Sequence, residues 1–172
     1  MEARALEKAA LESEGYGIMG VGDDIASASF KGPLKGQEIQ LPNVYTEKIT
    51  YTKRNPSDAS ALRYQFDKDI RGDFLKDFAN KNTVNDLQRM GFSDVDIARM
   101  SDGLVPQGYQ VHHKLPLDDG GTNDFSNLII FKNDPYHKAI TNYQNNLIRG
   151  MKPGETIEVE WPIPSGSYYN GG

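Results

Sequence analysis

The sequence predicts an α+β domain, and three observations lead there. Leu62, Phe66, Ile70, Phe74 and Phe78 recur every four residues, the spacing of one buried helical face. The runs VYTEKITYT (44–52) and TIEVEW (156–161) are rich in β-formers and alternate in polarity. Between residues 109 and 149 the pattern changes from strand-like to helical, in the order strand, loop, strand, helix.

Residues 2–13 predict a short helix with Leu6, Ala9 and Ala10 on one side. Glycines and prolines crowd the next thirty positions, so residues 1–43 read as a Gly-rich tether carrying that helix, and 44–172 as the folded domain. A strand follows at 44–52. After the Asn55-Pro56 turn, Ser57 or Ser60 is placed to cap the strong helix, which opens a helical part spanning 57–100. Its polar side mixes Arg63, Lys68, Arg71 and Lys76 with Asp67, Asp69, Asp73 and Asp77, the composition of a solvated face. A second short helix at 83–90 is closed by Gly91, and Ser93 with Asp96 forms a capping box for a third at 94–100. Tyr109 to His113 reads as a strand, Asp118 to Ser126 as a polar loop, and Leu128 to Phe131 as an apolar strand. Asp134 caps the next helix, with Pro135 at its first position and Gly150 beyond its end. A terminal strand near 155–162 carries Trp161 against the core.

Composition narrows the function. The chain has 172 residues, of which 37% are hydrophobic, below the ~45–50% usual for globular chains, and it holds 17 Gly and 9 Pro. One domain with loops or a tail fits these values. The absence of cysteine removes disulfide scaffolds, thiolate zinc sites and cysteine nucleophiles, so a bound metal must use His, carboxylate or amide ligands. A net charge of −5 argues against nonspecific attraction to nucleic acid. That charge is uneven, at −4 over residues 1–47, +2 over 48–100 and −3 over 101–172. No apolar run approaches the ~18 residues of a membrane span, and the N-terminus lacks the apolar core of a secretory signal.

The three histidines, His112, His113 and His137, all fall within a 26-residue window. Adjacent strand residues point to opposite faces, so His112 and His113 are expected to do different work. Metal chemistry on a phosphodiester needs a cation to stabilise charge on the phosphate and a base to activate water, and neutral imidazole suits both duties. The run Asp118-Asp119-Gly120-Gly121 reads as a turn before it reads as ligands. Tyr109, Tyr136 and Tyr143 read as packing residues.

At these residues the segment resembles a known family. Two adjacent histidines, a Gly-Gly loop, Asn127-Leu128 before an apolar strand and a His on the following helix look like the ββα-metal (His-Me) finger of the HNH/endonuclease VII superfamily. The tract GLVPQGYQVHHKLPL…NLIIF…YHKAITNYQ is similar to the C-terminal nuclease domains of bacterial polymorphic toxins, including type VI secretion and Rhs effectors. The strong resemblance covers about 45 residues.

The resemblance implies a ββα-metal finger at 109–149 packed against the helical part. By position it makes His112 and His137 metal ligands, His113 the general base, and Asn127 the residue that holds the first strand and orients the base. Colicin-type DNases of this superfamily place another His one turn beyond the helix ligand, where this chain has Thr141 beside Asn142, the candidates for a third ligand. Hydroxyl and amide oxygens are harder and weaker ligands than imidazole, so Mg²⁺ or Mn²⁺ is favoured, with Zn²⁺ or Ni²⁺ as alternatives. Lys114 and Lys138 are candidate phosphate contacts. The implied function is a metal-dependent DNA endonuclease, the toxin of an antibacterial effector, with no membrane partner. Its implied partners are a cognate immunity protein and a secretion carrier, and its place of action is the cytoplasm of a target bacterium, reached without a signal peptide of its own. A phage or restriction-type HNH endonuclease and a non-catalytic, metal-stabilised binding module are the alternatives.

Overall fold

A computed structural model describes residues 30–171. The helix expected at 2–13 and the tether as far as residue 29 lie outside the described residues. The architecture is α+β, three small sheets around a helical block. Among the described residues no helix is long and apolar enough to cross a membrane.

The tether reading is corrected over residues 30–41. These form a hairpin, β1 (Phe30–Leu34) and β2 (Gln37–Leu41), joined by Lys35 and Gly36. Both turn residues have positive φ, 51° and 76°, the two-residue turn whose twist matches paired strands. The hairpin is fixed to the domain through Gly32, where a Cβ would lie 2.7 Å from the Ala139 carbonyl oxygen. Phe30 also meets Tyr143 edge-on, with ring centroids 4.8 Å apart.

Strand β3 (Val44–Thr52) pairs antiparallel with β6 (Thr156–Pro164) along its whole length, so the two expected outer strands are partners. Trp161 is fully buried and its indole N–H donates to the Lys114 carbonyl at 3.0 Å, which ties this sheet to the end of the histidine strand.

The cap of the long helix lies ahead of the expected Ser57 or Ser60. Asn55 caps it, its side chain accepting from the Ser57 N–H, and Pro56 takes the first position. It runs as α1 (Pro56–Gln65), a π-helical turn (Phe66–Ile70) and α2 (Arg71–Asn80). A strict four-residue repeat drifts by about 40° per step on a 3.6-residue helix, and the wider π turn absorbs part of that drift. Phe66, Phe74 and Phe78 therefore all face the core, and Leu75 joins them, while Leu62 and Ile70 are only half-buried. Helices α3 (Val84–Arg89) and α4 (Asp94–Ser101) follow, each opened by a capping box, Thr83 with Asp86 and Ser93 with Asp96.

The central sheet orders β4 (Tyr109–His113), β5 (Leu128–Lys132) and β7 (Tyr168–Tyr169). Strand β5 is buried on both faces. Leu128 and Ile130 join the core made by the helical block, whereas Ile129 and Phe131 join the core under the hairpin and α5 (Lys138–Ile148). The histidine-bearing strand beside it is thereby sandwiched between two hydrophobic layers.

Candidate functional site

The period of two along β4 sorts its side chains. Tyr109 and Val111 pack into the helical core, and His113 continues that face onto Phe66, with ring centroids 4.4 Å apart. Gln110 and His112 take the other face and meet His137, at the start of the helix after β5. The expected division of labour between His112 and His113 follows the strand, yet both rings open onto one cavity of about 280 Å³.

The tautomer of His113 is set by a chain of hydrogen bonds. The Asn123 amide nitrogen donates to the Leu62 carbonyl at 3.0 Å, so its Oδ1 must face the His113 ring. That oxygen lies 3.0 Å from Nε2 and accepts from it, which places the ring proton on Nε2 and the lone pair on Nδ1. Burial pushes the His113 pKa down to about 4; the Asn123 bond raises it, and Arg63 lowers it. The ring is therefore neutral at neutral pH, with a basic nitrogen of defined position.

On the opposite face Nδ1 of His112 and Nε2 of His137 are 3.0 Å apart, and Thr141 Oγ1 is 3.5 Å from the same His137 nitrogen. As placed, Gln110 Nε2 donates to His137 Nδ1 at 2.7 Å, which leaves the His137 proton on Nε2, directed at His112 Nδ1; a cation on Nε2 requires the Gln110 amide turned so that its oxygen accepts from Nδ1. Burial lowers the pKa of His137 to about 4 and, joined by the charge of His137, that of His112 well below the ordinary value. His112 Nε2 is buried without a hydrogen-bond partner among the described residues. With the Gln110 amide so turned, the two neutral imidazoles and the Thr141 hydroxyl offer lone pairs suited to a divalent cation. Among the described residues no group of three or more His, Cys, Asp or Glu side chains gathers around a metal position. The set is thus a sparse one, leaving coordination positions for water or substrate oxygen.

Several sequence assignments move. Asn142 is exposed and donates to the Pro33 carbonyl at 2.9 Å, so it pins the hairpin and is no ligand. Asn127 is fully buried and its amide bonds the N–H and C=O of Leu115, at 2.9 and 3.0 Å, and the Thr122 carbonyl at 2.8 Å. It holds the chain after β4, as expected, but the group that touches the His113 ring is Asn123. Lys138 is exposed and pairs with Asp134 at 2.6 Å, while Lys114 is buried, with burial lowering its pKa to about 8. Neither lysine lines the cavity; the cation that does is Arg63, one turn before the π segment, with its guanidinium 5.5 Å from the Phe66 ring centroid. Asp134 sits in extended geometry at the helix entry, and no side-chain cap bond forms there.

Sequence reasoning missed Gln110, Asn123 and Arg63. Gln110 carried a usable signal, because two residues before His112 on a strand is the same face. Arg63 carried none, since it comes from a distant part of the chain, and Asn123, ten positions from His113, is oriented by its bond to Leu62 sixty-one positions away.

Comparison with known proteins adds one relative. Over 141 residues the chain is 43% identical to "Uncharacterized protein YhhZ" of Escherichia coli (strain K12), covering 82% of this chain and 35% of that protein. The chain thus spans about a third of the length of the relative it matches. No model of a described protein family matches the chain, and no solved structure matches it.

Proposed function

We propose that this domain is a metal-dependent DNA endonuclease built on an HNH-type ββα-metal finger, the toxin part of an antibacterial effector. The observation that carries the reading is the single cavity shared by an imidazole locked for proton abstraction, His113, and a facing pair of neutral imidazoles, His112 and His137.

In the proposed reaction, Nδ1 of His113 takes a proton from the water that attacks phosphorus, while Asn123 keeps Nε2 protonated and the ring fixed. His112, His137 and Thr141 would hold the cation, and Gln110 orients the His137 ring. A bound divalent cation supplies Lewis-acid stabilisation of charge on the phosphate and on the departing oxygen. Arg63 places a permanent positive charge at the cavity wall for a phosphate oxygen. Phe66 and the helical core behind it exclude water from one side of the His113 ring. The effector setting, with its immunity protein and secretion carrier, rests on the sequence resemblance.

The test is plasmid cleavage by the purified chain with and without Mg²⁺ or Mn²⁺, with RNA run in parallel. His113→Ala should lower the rate by at least about 10²-fold, the usual contribution of a general base, while preserving the fold. Nicking retained by that variant overturns the assignment. A metal-induced rise in melting temperature with no cleavage at all identifies a binding module.

A further inference from the structure

The cavity wall contains two groups that neither the metal-binding pair nor the base employs. Asp119 and Gln144 both line it, each is 3% exposed, and each presents a buried polar atom without a hydrogen-bond partner among the described residues, Oδ1 and Nε2 respectively. A buried carboxyl oxygen without a partner opposes folding. Burial also pushes the pKa of Asp119 up to about 7.

The chain nevertheless holds Asp119 there firmly. The Arg54 guanidinium donates to the carbonyls of Leu117 and Gly121, at 2.9 and 2.7 Å, and its backbone N–H donates to Asp118 at 2.7 Å. At Gly121 any Cβ would fall 1.7 Å from the Leu115 carbonyl oxygen, so the loop closes only with glycine. Gln144 stands seven residues after His137 and three after Thr141, on the same face of α5. That places it about 10 Å along the helix axis from the imidazole pair.

Resting on the nuclease reading above, we propose that Asp119 and Gln144 form the subsite that binds the nucleoside next to the scissile phosphate. A carboxyl and an amide N–H on the wall of one cavity match a group that both donates and accepts, and the carboxyl repels a second phosphate. Two parts of a nucleotide offer that chemistry: the ribose 2′-hydroxyl and the polar edge of a base. Arg63 takes the phosphate and Asp119 with Gln144 read the nucleoside, so substrate preference is decided at this end of the cavity.

The experiment titrates the full chain, in excess chelator so that nothing is cut, with deoxy- and ribo-dinucleotides of each base, followed by calorimetry and by NMR shifts. Wild type, Asp119→Leu and Gln144→Met are compared, with melting temperatures measured alongside. Wild type should prefer some probes over others. Each variant should weaken the preferred probe by about tenfold, the loss of one hydrogen bond in a desolvated site, and level the preference. Asp119→Leu should melt at or above the wild-type temperature. A preference that separates ribo from deoxy probes identifies the 2′-hydroxyl as the group read; one that follows base identity identifies the base edge. Dinucleotide binding that is absent, or unchanged in whichever variants fold, overturns the subsite. Plasmid cleavage measured on the same wild-type sample separates the two readings: cleavage with unaltered variant binding removes only the subsite. Binding through Asp119 without cleavage in any metal removes only the nuclease.

Discussion

Replacing Asn123 by leucine tests the link between the hydrogen-bond chain and chemistry. The substitution keeps the volume and removes two bonds, one to the Leu62 carbonyl and one to His113 Nε2, each 3.0 Å long. Both are partly buried, so the fold should lose about 1–3 kcal/mol, at ~0.5–1.5 kcal/mol per bond. The bond to the ring also selects its tautomer. Losing ~0.7–1.4 kcal/mol of that selection lowers the population of the productive form and slows cleavage by about three- to tenfold. The decisive companion is Asn123→Asp. A carboxylate against Nε2 raises an imidazole pKa by about 1–3 units, so the acid limb of the rate profile should move up from near the wild-type value of about 4. The assay is initial nicking rate from pH 4.5 to 8 in saturating Mn²⁺, with melting curves at each pH. A wild-type rate in the leucine variant, together with an unmoved acid limb in the aspartate variant, would refute the role assigned to His113 and its partner.

Other perturbations have equally definite outcomes. Burial depresses His113 and His137 from 6.5 to about 4 and His112 further, so the unfolded chain takes up protons in that window while the fold does not. Stability is complete above pH 6.5 and falls as pH drops toward 4; Asp119, raised to about 7, opposes this because the fold keeps its proton. With about two protons net, the loss approaches ~2.7 kcal/mol per pH unit, less the discount for the part-exposed His137. Urea midpoints at pH 7.5, 6 and 5 measure it, and a flat profile contradicts the buried neutral histidines. His112→Ala should abolish any Mn²⁺-induced rise in melting temperature, whereas Asn142→Ala should retain it; equal responses would remove His112 from the cation site. Gly121→Ala should destabilise the domain by about 3 kcal/mol or more, through forced displacement of the Leu115 carbonyl, and a melting temperature near wild type would disprove that close approach.

Local pattern told most about elements whose causes are local. The capping box of Ser93 and Asp96, the two strands at the ends of the domain and the strand–loop–strand–helix order all follow from spacing within a dozen residues, and the structure places them as read; that the two end strands pair was left to tertiary structure. The hairpin at 30–41 escaped because its Lys35-Gly36 turn lacks the Asn-Gly signature, and its glycines suggested slack chain. Here Gly32 serves close packing on α5.

By itself the sequence determined which residues have chemistry to offer. Lacking cysteine, it removed thiolate ligands and nucleophiles and left its three histidines in one segment, and the alternation of a strand assigned two of them to opposite faces. Tertiary structure decided which groups finish the site. Asn123 reads the Leu62 carbonyl across 61 positions, Arg63 comes from the helical block, and Arg54 pins the loop that buries Asp119 across more than sixty. Hydrogen bonds and burial depend on distance in space, which the order of residues along the chain does not specify until two hydrophobic layers close around β4 and β5.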